Sequence, residues 1–265
     1  MISKLITRGS LSVCSVYAAL AAVSISARQI YHSTNKGAAF AHNHPVTKFN
    51  AISRNYVGTL HASAESDDEV EAKTNKWIDN VVIGLNMCPF AEKTRSQEKL
   101  FMTIVRADDV EEILAVVLYE SILRKDDAGT TVVVCPELSP NNFVAFYDVV
   151  AMAEEMLLDQ DMDGIIQIAP FHPLFEFQGS GKDGVDNLTN RSPYPILHIL
   201  REAEVSKAVK KLDGDSSKVW NRNIMFLESL QEKYGRAKVN KIMSGSEKSE
   251  SLRDLLKSIN LDEQN

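Results

Sequence analysis

Acidic residues are missing from the first quarter of this 265-residue chain. Residues 1–64 contain no Asp or Glu, whereas the remaining 201 residues hold 36 acidic and 23 basic residues and therefore carry a net charge of −13. An abrupt switch of this kind is typical of a removable targeting segment followed by a mature domain. That domain is acidic and has no basic stripe with interleaved aromatic residues, so we do not expect it to bind nucleic acid.

Long apolar runs and cysteines are also scarce. No stretch reaches eighteen apolar residues, so we expect no membrane span in the mature protein. Of three cysteines, Cys14 falls in the basic segment, which leaves Cys88 and Cys135 as too few for a disulfide framework. Length and composition predict a single globular domain over residues 65–235, with a polar linker and a short helix or disordered tail over residues 236–265.

The first 64 residues have two parts. Lys4 and Arg8 precede the apolar stretch Leu11–Ala27, which resembles the charged and apolar regions of a secretory signal, and the basic stretch 28–64 is rich in Ser, Asn and His, like a transit peptide. A signal followed by a transit peptide is typical of plastids acquired by secondary endosymbiosis. A mitochondrial presequence shares the basic, acid-free composition, and a secreted or uncleaved chain is a further alternative. We predict an organellar location, with a plastid favoured over a mitochondrion.

The mature part alternates helical and strand patterns. Short β-branched or apolar runs predict strands over 101–105, 130–135 and 165–169, with Phe175–Phe177 as a short edge strand. Helical spacing and cap residues predict helices over 66–88, 108–125, 139–157, 192–209 and 220–234, with Ser139-Pro140 and Ser192-Pro193 at two of the helix starts. This order predicts an α/β fold with a small, mainly parallel sheet of three to four strands flanked by helices.

Three stretches have unusual composition: Gly84–Ala91, Gln167–Pro173 and Thr189–Glu202. Through them the chain resembles the protein family catalogued as domain of unknown function 1415, over roughly Thr74 to Tyr234. The resemblance implies no particular reaction, and it points only to these positions as a site.

Cys88 and His172 are the first catalytic candidates. Cys88 could act as a nucleophile with His172 as its base, because His172 follows the third predicted strand, where ligands bind in open α/β sheets. One objection is that the predicted helix ends at Pro89, and the negative end of a helix disfavours a thiolate. The structural alternatives are a buried apolar cysteine and a loop histidine bonded to the backbone.

A metal is a weaker interpretation of the same residues. Cys88, Cys135, His172 and His198 offer thiolate and imidazole ligands, but none has the paired spacing of a zinc site. We therefore predict no metal site, and the sequence does not indicate which cofactor, if any, the protein uses.

Residues 190–201 suggest an anion site. A helix that begins at Ser192-Pro193 would present free backbone N–H groups, and the adjacent Arg191 would grip a carboxylate or phosphate. On such a helix Tyr194, His198 and Arg201 would share one face beside Asn190. The structural alternative is that Arg191 pairs with an acid such as Asp186 or Glu202 and merely holds the loop.

Two functions of different classes fit these features. The first is a small hydrolase or transferase that acts on a compact anionic metabolite, a phosphate or a carboxylate, with His172, His198 or Cys88 as its chemical groups. The second is a non-catalytic protein that binds such a metabolite, or a partner, through the same residues.

Overall fold

The computed structural model describes residues 65–212, 214–215, 217–247 and 254. The predicted presequence and the predicted helix around residues 252–259 therefore lie outside the described residues, apart from Asp254. The helices among the described residues, in chain order, are α1 (Asp67–Trp77), α2 (Ala91–Ser96), α3 (Val110–Asp126), α4 (Phe143–Asp159), α5 (Glu202–Lys210), α6 (Ser217–Tyr234) and α7 (Arg236–Met243). A π-helix (Ile78–Ile83) continues α1, and a 3-10 turn spans Asp186–Asn190.

Four strands form one mixed sheet: β1 (Leu100–Ile104), β2 (Thr130–Val134), β3 (Ile166–Phe171) and β4 (Ile196–Arg201). They lie in the order β1-β2-β4-β3, with β1 parallel to β2 and with β4 antiparallel to both of its neighbours. The predicted α/β class is confirmed, but the parallel character is only partial. Strands β1, β2 and β3 run in the same direction, and β4 is inserted between the last two.

Each face of the sheet is covered by helices. One core joins α1, the π-helix, α6 and α7 to Val132, Val134 and Ile196, and the other joins α3 and α4 to Val133, Leu197 and Ile199. Both β2 and β4 therefore present apolar side chains to both faces, as expected for strands in the middle of a covered sheet. Because both faces of β4 are buried, polar and apolar residues do not alternate along its sequence.

Helix starts were predicted well at two places and wrongly at a third. Ser66 forms a capping box with Glu69, and the Asp109 side chain accepts a hydrogen bond of 2.8 Å from the Glu111 amide. The third helix, α4, begins three residues later than predicted, because its cap is Asn142. Ser139 instead lies in a tight turn with φ of +46°, and its carbonyl group points to another loop.

The C-terminal part is more structured than predicted. Where a linker was expected from residue 236, α7 packs against the sheet core through Val239, Ile242 and Met243. Phe175–Phe177 lies in a loop, so the predicted edge strand at this position is wrong.

Candidate functional site

The predicted helix over 192–209 is wrong in its first half. Residues 196–201 form β4, which is hydrogen-bonded on both sides, and only residues 202–210 are helical. Ser192 therefore does not cap a helix, and its hydroxyl donates to the carbonyl oxygen of Tyr194 at 2.5 Å. An extended strand also separates side chains that a helix would bring together, so Tyr194 and Arg201 lie about 20 Å apart along the chain. Arg201 instead contacts Glu204 and the Lys125 carbonyl group.

Three of the predicted ligand-binding residues do line a common cleft. Arg191, Ser192 and Tyr194 line an opening of about 720 Å³, a volume in the range of ligand pockets. Lys73 and Lys76 of α1 line the same opening. The remaining lining comes from Glu65, Pro173, Leu188, Asn240 and Met243–Ser246.

The cleft lies beside the end of the sheet where β3 stops and β4 starts. Pro173 follows β3, and Arg191–Tyr194 lead into β4. Ligands of open α/β sheets bind beyond the carboxyl ends of strands, so this position agrees with the expectation for the loop after the third strand. Binding residues of proteins often lie on loops that a rigid scaffold holds in place, as the sheet does for these loops.

A turn after α7, formed by residues 244–246, also lines the cleft. Gly245 has a φ of +75°, and an added Cβ would lie 2.7 Å from the Cα of Trp77, so only glycine fits this approach. The Asn80 amide donates to the carbonyl oxygens of Gly245 and Glu247, both at 2.9 Å. This turn is therefore fixed to the helix that carries the lysines, although the two are about 165 residues apart in the chain.

Arg191 holds the loop that precedes β4. Its Nε donates to the Phe175 carbonyl at 3.3 Å, and its Nη2 donates to the Lys182 carbonyl at 2.9 Å. Among the described residues, the guanidinium group binds these two backbone carbonyl groups and forms no ion pair with Asp186 or Glu202, the carboxylate partners considered from the sequence. Burial, then the nearby Arg236, lowers the pKa of Arg191, which nonetheless stays a cation at neutral pH because its ordinary value is so high.

Tyr194 and Glu65 meet at the mouth of the cleft. The Tyr194 hydroxyl donates to one carboxylate oxygen of Glu65, and the Lys73 ammonium group binds the other. Burial raises the pKa of Tyr194, so the phenol is protonated and acts as a donor at neutral pH. The lysines of α1 and Glu65 were not predicted as site residues. The only signal in the sequence was the spacing of three between Lys73 and Lys76, which puts both on one helix face.

Asn190 and His172 tie the long loop to the sheet. Asn190 is 2% exposed, and its side-chain amide donates to the Pro170 carbonyl at 3.2 Å, while its backbone carbonyl accepts from the His172 backbone amide at 3.1 Å. The two ring nitrogens of His172 are also bonded: Nε2 to the Ser139 carbonyl at 3.0 Å and Nδ1 to the Leu174 amide at 3.0 Å. Because carbonyls only accept and amides only donate, the ring is neutral with its proton on Nε2.

The surroundings of His172 favour a structural role. The residue is fully buried, and its ring packs against Phe143 and Phe146 at centroid distances of 5.5 and 5.0 Å. Burial lowers the pKa of His172. With no exposed edge and both nitrogens engaged, the imidazole has no contact with the cleft, and its catalytic role stays a prediction without support from this geometry.

His198 lies in the middle of β4, between Val132 and Ala169 of the neighbouring strands. Its Nε2 lies 2.6 Å from the hydroxyl oxygen of Thr130, and burial lowers its pKa to about 4. The imidazole is therefore neutral at neutral pH. His198 does not line the cleft, so the two predicted histidines do not share a site with Arg191.

Cys88 lies in the turn between the π-helix and α2. The helix ends earlier than predicted, and the thiol faces the backbone amides of Phe90 and Ala91 near the start of α2. These amides lower the pKa of the thiol, but the larger effect of burial raises it, as it also raises the pKa of Cys135 to about 12. Both thiols are thus protonated at neutral pH, which favours the structural interpretation of Cys88 over a nucleophile.

The described residues contain no group of three or more His, Cys, Asp or Glu side chains placed to hold a metal ion. The four candidate ligands considered from the sequence are therefore not brought together. Within the same part of the chain, no helix combines the length and the apolar content that a membrane span requires.

No curated protein and no solved structure matches the chain. A family model described as "Protein of unknown function (DUF1415)" matches residues 69–237, which include the sheet, most of the helices and the cleft residues Lys73, Lys76 and Arg191. The chain belongs to the DUF1415 family.

Proposed function

We propose that this protein binds a compact anionic metabolite, a phosphate or a carboxylate, in the cleft between α1 and the loop before β4. The observation that carries the proposal is the concentration of cations in the cleft. Lys73, Lys76 and Arg191 line it together with a single acid, Glu65, although the sequence from residue 65 onward carries a net charge of −13. A local positive field in an acidic protein raises the local concentration of anions and selects them.

Hydrogen-bond donors add to this charge. The Tyr194 hydroxyl is directed to a carboxylate at the mouth of the cleft. The opening of about 720 Å³ suits a metabolite of ordinary size. Of the two functions expected from the sequence, binding of an anionic small molecule is therefore the better supported.

Catalysis by a hydrolase or transferase mechanism stays a prediction. Among the described residues, the catalytic candidates Cys88, His172 and His198 do not line the cleft. A reaction at this site would have to use Glu65, Tyr194 or a lysine as its proton-transfer group. The test is turnover of whichever anion binds, since stable binding without turnover separates the two functions.

Lys76 offers the cleanest test of binding. It is exposed, and no hydrogen bond or ion pair with another described residue holds it, so Lys76→Gln should leave the free energy of unfolding unchanged within about 0.5 kcal/mol. The affinity for succinate or inorganic phosphate, measured by calorimetry at low salt, should fall about three- to tenfold, which corresponds to roughly 1 kcal/mol for one exposed charge.

Lys93→Gln is the matched control. Lys93 is an exposed lysine of α2 that does not line the cleft, and this substitution removes the same charge. Equal weakening by both substitutions, or no binding of either anion to the unaltered protein, would contradict the proposal. Arg191→Lys is a less specific probe, because it also removes the bonds to Phe175 and Lys182.

The organellar location is also a proposal, with a plastid favoured over a mitochondrion. It rests on the acid-free composition of residues 1–64 and on the two parts of that segment. A fluorescent fusion of residues 1–64 should enter an organelle, and mature protein isolated from cells should start near residue 65. A diffuse cytosolic signal with an intact N-terminus would contradict it.

A further inference from the structure

A carboxylate already occupies part of the cleft, and it belongs to the protein. One oxygen of the Glu65 side chain accepts from the Lys73 ammonium group, and the other accepts from the Tyr194 hydroxyl. A cation on one oxygen and a neutral donor on the other satisfy a carboxylate by charge-assisted hydrogen bonds. All three residues line the cleft, so this pair of donors belongs to the site described above.

Glu65 is held there by its backbone. Arg106 donates to the Glu65 carbonyl group, and it also binds the carboxylates of Asp67 at 2.8 Å and Glu137 at 2.7 Å. Arg106 follows β1 and Glu137 follows β2, so the backbone of Glu65 is tied to the sheet. The side chain itself is 36% exposed, and it can rotate into solvent without breaking this anchor.

We propose that Lys73 and Tyr194 form a carboxylate-binding subsite, and that Glu65 occupies it as an internal ligand which a carboxylate of the bound metabolite displaces. This inference rests on the proposed function and names the chemistry of its ligand. Lys76 and Arg191 line the same cleft and are not part of the contact with Glu65. They supply charge for a second anionic group, so the ligand class is a small molecule with two anionic groups, of which at least one is a carboxylate.

An internal ligand lowers the apparent affinity of the site for an external one. If Glu65 fills the subsite in about nine of ten molecules, the apparent affinity falls about tenfold relative to an open subsite. Glu65→Gln keeps the size of the side chain and removes its charge. The full-length protein with this substitution should therefore bind succinate about tenfold more tightly than the unaltered protein in calorimetry at low salt. Glu65→Ala should act in the same direction.

Glu71→Gln is the matched control. Glu71 is an exposed acid of α1 whose contact is a long hydrogen bond of 3.5 Å from Asn75, and its substitution removes the same charge away from the cleft. We expect a change below twofold. Tyr194→Phe in the Glu65→Gln background should remove most of the gain for succinate, because it deletes one donor of the subsite.

The outcomes separate this inference from the proposed function. Unchanged succinate affinity in Glu65→Gln and Glu65→Ala, with weakening by Lys76→Gln preserved, would overturn the internal ligand and leave the binding function standing. Equal tightening by Glu71→Gln would show a long-range charge effect and would also overturn it. If neither the unaltered protein nor Glu65→Gln binds succinate or phosphate, both proposals are wrong.

Discussion

The buried imidazole of His198 should lower the free energy of unfolding of the domain in acid. The imidazole lies on β4 between two neighbouring strands, and burial lowers its pKa to about 4, against about 6.5 in an unfolded chain. Below pH 6.5 the unfolded chain binds a proton that the folded protein does not, so the free energy of unfolding falls as the pH falls. The loss reaches roughly 2–3 kcal/mol at pH 4.5 and levels off below pH 4.

His198→Gln removes the titrating group. At pH 7.5 we expect the variant to be less stable by about 1 kcal/mol, because the ring loses its contact with Thr130. At pH 4.5 the order should be reversed, since the variant no longer loses stability to protonation. Urea unfolding followed by tryptophan fluorescence at pH 7.5, 6.5, 5.5 and 4.5 measures both arms of this crossing.

Thr130→Val is the control for this prediction. It removes the hydroxyl that contacts His198 and donates to the Ile199 carbonyl, but it leaves the imidazole in place. Its free energy of unfolding should stay below that of the unaltered protein by a similar amount at each pH. If His198→Gln gives a curve parallel to that of the unaltered protein, the imidazole titrates near its ordinary pKa and the reasoning is refuted.

Three further predictions concern separate parts of the fold. Burial raises the pKa of Glu154 to about 7, so between pH 4.5 and 7 the folded protein keeps a proton that the unfolded chain releases. The free energy of unfolding should therefore fall as the pH rises through this range, and Glu154→Gln should remove that fall. An unchanged pH dependence of the free energy of unfolding would contradict this. Cys88→Ala should lower the free energy of unfolding by about 1–2 kcal/mol and leave succinate binding intact, whereas rapid thiol labelling of the folded protein with loss of binding would show a reactive cysteine. Gly245→Ala should lower the free energy of unfolding by about 2 kcal/mol or more and weaken anion binding, because the new Cβ meets the Trp77 backbone. An unchanged unfolding temperature and an unchanged affinity in calorimetry would contradict the fixed position of this turn.

Local signals in the sequence were enough for the elements with strong caps or β-branched runs. Ser66 and Asp109 cap their helices through their own side chains, and Thr130–Val134 is a strand whose residues favour that conformation on both faces. These features depend on neighbours within a few residues. The sequence also singled out Arg191, Ser192 and Tyr194 as candidate ligand contacts, and all three line one cleft.

Only the tertiary structure decided the form of residues 196–201 and the composition of the cleft. A short, largely apolar run that follows two prolines is compatible with a buried helix or a buried strand, and pairing with both β2 and β3 selects the strand. The cleft joins Glu65 and Lys76 to Arg191 and Gly245, which are far apart in the chain. These residues come together because α1 and α7 pack against one face of the sheet, and no local sequence pattern encodes that packing. The tertiary structure also places His172 in hydrogen bonds within the loops and His198 in the middle of the sheet, away from the cleft.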